Sequence, residues 1–102
     1  LLYLHLWDRR TPVEETLEAA GELIRSGQIR AFGLSNVPAW YVARATLLCE
    51  AHGLPPIAAL QLNYNMLTRH LEWDFGDLLK CASLDLIAWG PLANGLLAGR
   101  YE

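Results

Sequence analysis

Short apolar runs alternate along this chain with longer stretches whose apolar residues fall at helical spacing. The runs are Leu1 to Leu6, Ile29 to Leu34, Ile57 to Leu62 and Leu84 to Trp89, recurring roughly every 28 positions. Polar or small residues gather at or just past each end: His5 and Asp8, Ser35 and Asn36, Gln61 and Asn63, then Trp89 with Gly90. Thr11-Pro12-Val13-Glu14 has the form of a capping box, in which Thr11 accepts from a first-turn amide and Glu14 reaches back; it predicts a helix from near residue 12. Val13, Leu17, Ala20 and Ile24 then make one apolar stripe, and Gly27 offers a left-handed stop. A second helix is predicted over Ala39 to His52, with Trp40, Ala43, Leu47 and Ala51 as its buried stripe and Gly53 and Pro55 as its end. Leu71, Phe75, Leu78 and Ala82 repeat the spacing in a third.

A strand-helix repeat of this kind gives parallel strands joined by right-handed crossovers, so all four polar clusters meet on one rim. In a βα-barrel that carboxyl rim carries the chemistry, which predicts where a ligand sits. A whole eight-stranded barrel takes about 250 residues. With 102 residues, no initial Met and an apolar first run, the chain is expected to be a partial α/β barrel domain, residues 1–102, incomplete at both ends. Strands this apolar call for cover on both faces.

Composition narrows the class. With 53% hydrophobic and 19% charged residues the chain is too apolar for disorder. No apolar stretch approaches the roughly 18 residues of a membrane span, and a formal charge of −3 without a dense basic patch argues against a nucleic-acid surface. Cys49 and Cys81 lack Cys-x-x-Cys partners and are expected to be buried free thiols, which suits a reducing, cytoplasmic compartment. The three histidines share no metal-ligand spacing, so no zinc site is expected.

Five segments, in order, resemble the aldo-keto reductases: Leu4-His5-Leu6-Trp7-Asp8; Thr11 to Leu17; Gly27-Gln28-Ile29-Arg30-Ala31-Phe32-Gly33-Leu34-Ser35-Asn36; Gln61-Leu62-Asn63-Tyr64-Asn65; and Trp89-Gly90-Pro91-Leu92 through Tyr101. The resemblance implies strands four to seven of a (β/α)8 barrel and reversible reduction of aldehydes and ketones with a nicotinamide cofactor, usually NADP(H). His5 matches the histidine of the family's Tyr, Lys, Asp, His catalytic group, which orients and polarises the substrate carbonyl. The other three members belong to earlier segments in the family, and Tyr3, Tyr41, Tyr64 and Tyr101 are not substitutes.

Ser35, Asn36 and Gln61 match the three side chains that hydrogen-bond the nicotinamide carboxamide, a task that neutral donors and acceptors suit. The alternative is that Asn36 shapes the turn before Pro38 and Gln61 satisfies backbone. Trp89 matches an aromatic residue stacked on the nicotinamide ring, or else a core aromatic closing the barrel end. Gly90 and Leu92 match the loop whose backbone approaches the cofactor pyrophosphate. Gly90 replaces a frequent serine there, Asn94 stands for a glycine in a turn it can still adopt, Pro38 stands for a capping serine, and Asp85 is expected solvated at the amino end of its strand.

Trp7 and Tyr64 are candidate linings of a pocket for a small carbonyl substrate. A second function fits the same resemblance: a nucleotide-binding regulatory subunit like the potassium-channel beta subunits. His5 and the Ser35-Asn36 pair favour the enzyme, because those subunits often depart from the family at both places.

Overall fold

The computed structural model describes residues 1–101. Its strands are β1 (Leu2–Leu4), β2 (Phe32–Ser35), β3 (Ala59–Asn63) and β4 (Asp85–Trp89). They are interleaved with helices α1 (Val13–Arg25), α2 (Ala39–His52) and α3 (Leu71–Cys81). A kinked 3-10 segment, Ala93–Ala98, follows β4, with Asn94 and Gly95 in left-handed conformation at the kink. Asn94 thus adopts the turn expected of it.

All four strands run parallel in the order β1-β2-β3-β4, so each helix is a crossover between neighbours. Register sets Leu4 beside Leu34, Leu34 beside Leu60, and Leu60 beside Leu86. Because side chains alternate along a strand, these leucines point together to one face. There they meet Val13, Leu17 and Ala20 of α1, Val42 and Ala45 of α2, and Leu71 and Phe75 of α3 in a single core.

The opposite face carries Tyr3, Gly33, Ala59 and Gln61, with Ile87 and Trp89 each 42% exposed. Gly33 is required on that face, since a Cβ there would lie 2.6 Å from the Tyr3 ring and 2.7 Å from the Ala59 carbonyl oxygen. One sheet face covered by helices and one turned inward is the barrel arrangement expected from the strand-helix repeat.

Three expectations are corrected. The capping box does not form: Pro12 is itself the residue at the start of α1, and the Thr11 hydroxyl donates to Asp8 at 2.8 Å. Glu14, freed from that role, pairs across to Arg44 of α2 at 2.6 Å. In α2 the buried stripe is Tyr41, Val42, Ala45 and Cys49, whereas Trp40, Leu47 and Ala51 are exposed and Ala43 half-buried. This helix is apolar nearly all round, so spacing leaves two faces eligible and the sheet selects between them. Cys49 is buried, and desolvation pushes its thiol above the ordinary range, but Cys81, on the last turn of α3, is exposed. Asp85 is exposed at the amino end of β4, as expected.

Candidate active site

Each functional side chain sits at or just past a strand's carboxyl end, where the backbone leaves the sheet and its side chains turn toward the rim. His5 lies one residue beyond β1, Ser35 closes β2, Gln61 is the third residue of β3, and Trp89 closes β4. Ser35 pairs in register with Gln61, and Gln61 with Ile87, while Trp89 stands two residues further along β4 opposite Asn63.

One chain of hydrogen bonds ties the row together. The Trp89 indole N–H donates to Asn36 Oδ1 at 3.0 Å. Asn36 Nδ2 donates to the His5 carbonyl oxygen and to Ser35 Oγ, both at 3.0 Å. Ser35 Oγ donates onward to the Gln61 carbonyl oxygen at 2.8 Å. Strands β2, β3 and β4 are thereby joined to His5, the residue that follows β1. Asn36 reaches this position in a left-handed backbone conformation, φ 52°, which asparagine tolerates better than most side chains and which turns its amide back across the sheet.

Ser35 lies at the centre of this network. It is fully buried, with its hydroxyl proton spent on Gln61 and a lone pair taken by Asn36. It therefore braces Asn36 and the β3 backbone, while Asn36 and Gln61 are each half-buried. Asn36 does shape the turn before Pro38, and its amide also bonds the His5 carbonyl and the Trp89 indole.

Around this row the loops are pinned by charge and aromatic contact. Tyr64 donates to Glu72 Oε1 at 2.6 Å, and Arg69 bonds both Glu72 oxygens at 2.8 and 3.2 Å. Arg69 first and Tyr64 second hold the Glu72 carboxyl below its ordinary range, and the same carboxylate raises the Tyr64 hydroxyl above its own. Tyr64 is thus committed to its loop, which leaves Trp7 as the freer of the two expected pocket linings. Trp7 packs edge-on to Trp40 at 5.4 Å with the Arg9 guanidinium 5.3 Å from its ring centre. A crevice of about 330 Å³ bounded by Trp7, Asn36, Asn63 and His70 opens beside the hydrogen-bonded row.

Gly90 begins the next loop at φ +65°, with Leu92 exposed beyond it. The Gly90 carbonyl accepts from Ala93 N and from Asn65 Nδ2, each at 3.0 Å. Asn65 was not singled out by sequence; its side chain makes an Asx-type turn, accepting from the backbone two residues on at Leu67 N, 2.9 Å. Among the described residues no group of His, Cys, Asp and Glu could hold a metal ion.

The family model for the aldo/keto reductases matches residues 1–102, the whole chain. The chain belongs to the aldo/keto reductase family. Among curated family members it is 42% identical, over all 102 of its residues, to aldo-keto reductase family 7 member A3 of Homo sapiens, of which it covers 31%. It is 41% identical to aflatoxin B1 aldehyde reductase member 2 of Mus musculus, covering 28% of that protein. A thermostable aldo-keto reductase solved with the inhibitor epalrestat superimposes with a TM-score of 0.81 at 30% identity, over 90% of this chain and 32% of that one. A glycerol dehydrogenase of Gluconobacter oxydans gives 0.84 at 27% identity, over 98% of this chain and 29% of its own. The chain spans under a third of the length of these aldo-keto reductase relatives, and its sheet is an arc of their (β/α)8 barrel.

Proposed function

We propose that this chain forms the nicotinamide side of the active site in an NADPH-dependent reductase of small aldehydes and ketones. The observation that carries the reading is the hydrogen-bonded row: His5, Ser35, Asn36, Gln61 and Trp89 stand on one rim, in the order the family's chemistry needs them. The residues present fit a nicotinamide. A planar carboxamide needs a donor and an acceptor held still: Asn36, whose two N–H groups are taken by His5 and Ser35, keeps a lone pair on Oδ1 as the fixed acceptor, and the half-buried Gln61 amide on the neighbouring strand supplies the donor. Trp89 spends its only polar group on Asn36, which leaves the remainder of a 42% exposed indole as apolar surface for a ring to stack upon.

The chemistry supplied by the cofactor when bound is hydride donation to a carbonyl carbon. Asn36 and Gln61 orient the ring so that one face meets the substrate, with Ser35 bracing both. His5 donates a hydrogen bond to the substrate carbonyl oxygen, where negative charge grows as hydride arrives. The Asn36 bond to the His5 backbone sets where that imidazole stands relative to the nicotinamide side chains. Gly90 and Leu92 offer backbone amides to the pyrophosphate. Trp7, at the mouth of the crevice, lines the substrate pocket. The relatives named as aflatoxin B1 aldehyde reductases support an aldehyde substrate class, and two free thiols support a reducing, cytoplasmic setting.

Titrating the full-length protein with NADPH and NADH, with tryptophan fluorescence as the readout, tests the reading. NADPH is expected to quench saturably and more tightly than NADH, and Trp89→Ala to weaken both the signal and the binding. His5→Ala is expected to lower benzaldehyde reduction by about a hundredfold or more while NADPH affinity stays within a few-fold. Tight NADPH binding without any turnover in the unmodified protein favours the nucleotide-binding regulatory alternative. Absence of binding by either nucleotide overturns both.

A further inference from the structure

We infer that Asn65 is a positioning residue for the cofactor's pyrophosphate, holding the Gly90 loop in its binding conformation from the neighbouring strand; this rests on the function proposed above. β3 and β4 pair through their backbones as far as the bond from Tyr64 N to the Trp89 carbonyl oxygen, at 3.3 Å. One residue further on, β4 turns out of the sheet at Gly90 and the backbone ladder ends. The Asn65 side chain takes over at that point: its Nδ2 donates to the Gly90 carbonyl oxygen at 3.0 Å and to Asn63 Oδ1 at 3.3 Å. Its Oδ1 accepts from the Leu67 and Thr68 amides, both at 2.9 Å, so the strap is anchored in a tight turn of its own.

The chemistry of an anion loop explains why a carbonyl needs such a partner. Phosphate is held by backbone N–H groups, and a carbonyl oxygen turned the same way repels it. Gly90 lies in the left-handed region, at φ +65°, where peptide orientation changes readily because glycine has no side chain to restrain it. Its carbonyl receives two donors, Ala93 N from within the loop and Asn65 Nδ2 from outside it, which occupy both lone pairs on the protein side. Only the second ties the loop to the sheet. Gly90 takes the place of a hydroxyl-bearing serine in this family, so the loop relies on its backbone and hence on the strap more heavily.

The test uses the full-length protein with Asn65→Ser, which keeps a hydroxyl to accept from the turn amides but is too short to reach Gly90 and adds no charge. Leu67→Ala, an exposed change in the same turn, is the control for local loosening. NADPH affinity by fluorescence titration is expected to fall about tenfold in Asn65→Ser, mainly through a faster off-rate in stopped flow. KM for NADPH is expected to rise alike, with kcat for benzaldehyde not lowered and the control unchanged. Asn65→Thr, which likewise keeps a hydroxyl to accept from the turn amides and adds no charge, serves in the same role if the serine variant does not fold. Unaltered NADPH affinity in a folded Asn65 variant overturns the inference while leaving the proposed function intact, as does an equal loss in the Leu67 control. No NADPH binding by the unmodified protein overturns the proposed function and the inference with it.

Discussion

At the scale of the residue, the site is a set of polar groups that satisfy one another before any ligand arrives. A side-chain amide with two carbonyl or hydroxyl acceptors and an indole donor has one orientation open to it, so Asn36 is preorganised at no later cost. His5, Asn36, Gln61, Trp89 and Gly90 stood out in the sequence as candidates because each lies at or near the end of an apolar run and matches a family motif. The bond from Ser35 to the β3 backbone did not, since whether a hydroxyl faces solvent or a neighbouring strand depends on register, nor did the strap from Asn65, whose partner lies 25 positions away. The Glu72 triad shows the same limit and carries a pH prediction. Its carboxyl is held below the ordinary range in the folded chain, so the bonds to Arg69 and Tyr64 stabilise above that range and their contribution is lost as pH falls through it. The melting temperature of the full-length protein is therefore expected to exceed that of Glu72→Gln at neutral pH, with the gap closing toward pH about 4 and below. A gap that stays constant over the same range would show that the carboxylate's charge is not what matters.

At the scale of the element, spacing located the three α-helices and the four strands, though not the 3-10 segment after β4, and it oriented α1 and α3 because each has one apolar stripe. α2 has apolar residues on nearly all sides, so its buried face was settled by which residues meet Leu34, Leu60 and Leu62 of the sheet. Val42→Ala is accordingly expected to cost on the order of 2 kcal/mol through a cavity under the sheet, while Leu47→Ala, on the exposed face, changes stability by less than about 0.5 kcal/mol. Urea unfolding of the full-length protein measures both, and comparable losses in the two variants would return α2 to the orientation its spacing alone suggested. The start of α1 makes a related point. Thr11 has the right chemistry for a cap, but Asp8 stands three residues earlier with two carboxylate oxygens, one taken by Arg10 N and the other by the Thr11 hydroxyl. A charged acceptor close in sequence outcompetes a neutral capping bond.

At the scale of the whole molecule, one face of the sheet is sealed by three helices and the other is left with Ile87 and Trp89 substantially exposed. Parallel sheets are stable with both faces covered, and an open apolar face recruits whatever apolar surface is available. These 102 residues by themselves are expected to bind the dye ANS strongly and to show no NADPH-dependent reduction of benzaldehyde; turnover at rates comparable with intact reductases would refute this. The sequence by itself determined the order of strands and helices, the rim on which chemistry gathers and the residue types that gather there, because periodicity and chain direction are local properties that a linear pattern carries. Only the tertiary structure decided which face of α2 is buried, which of the rim's polar groups bond to one another, and that Asn65 bonds the Gly90 carbonyl. Those outcomes depend on strand register and on contacts between residues tens of positions apart, where several partners of equal chemistry compete and packing selects among them.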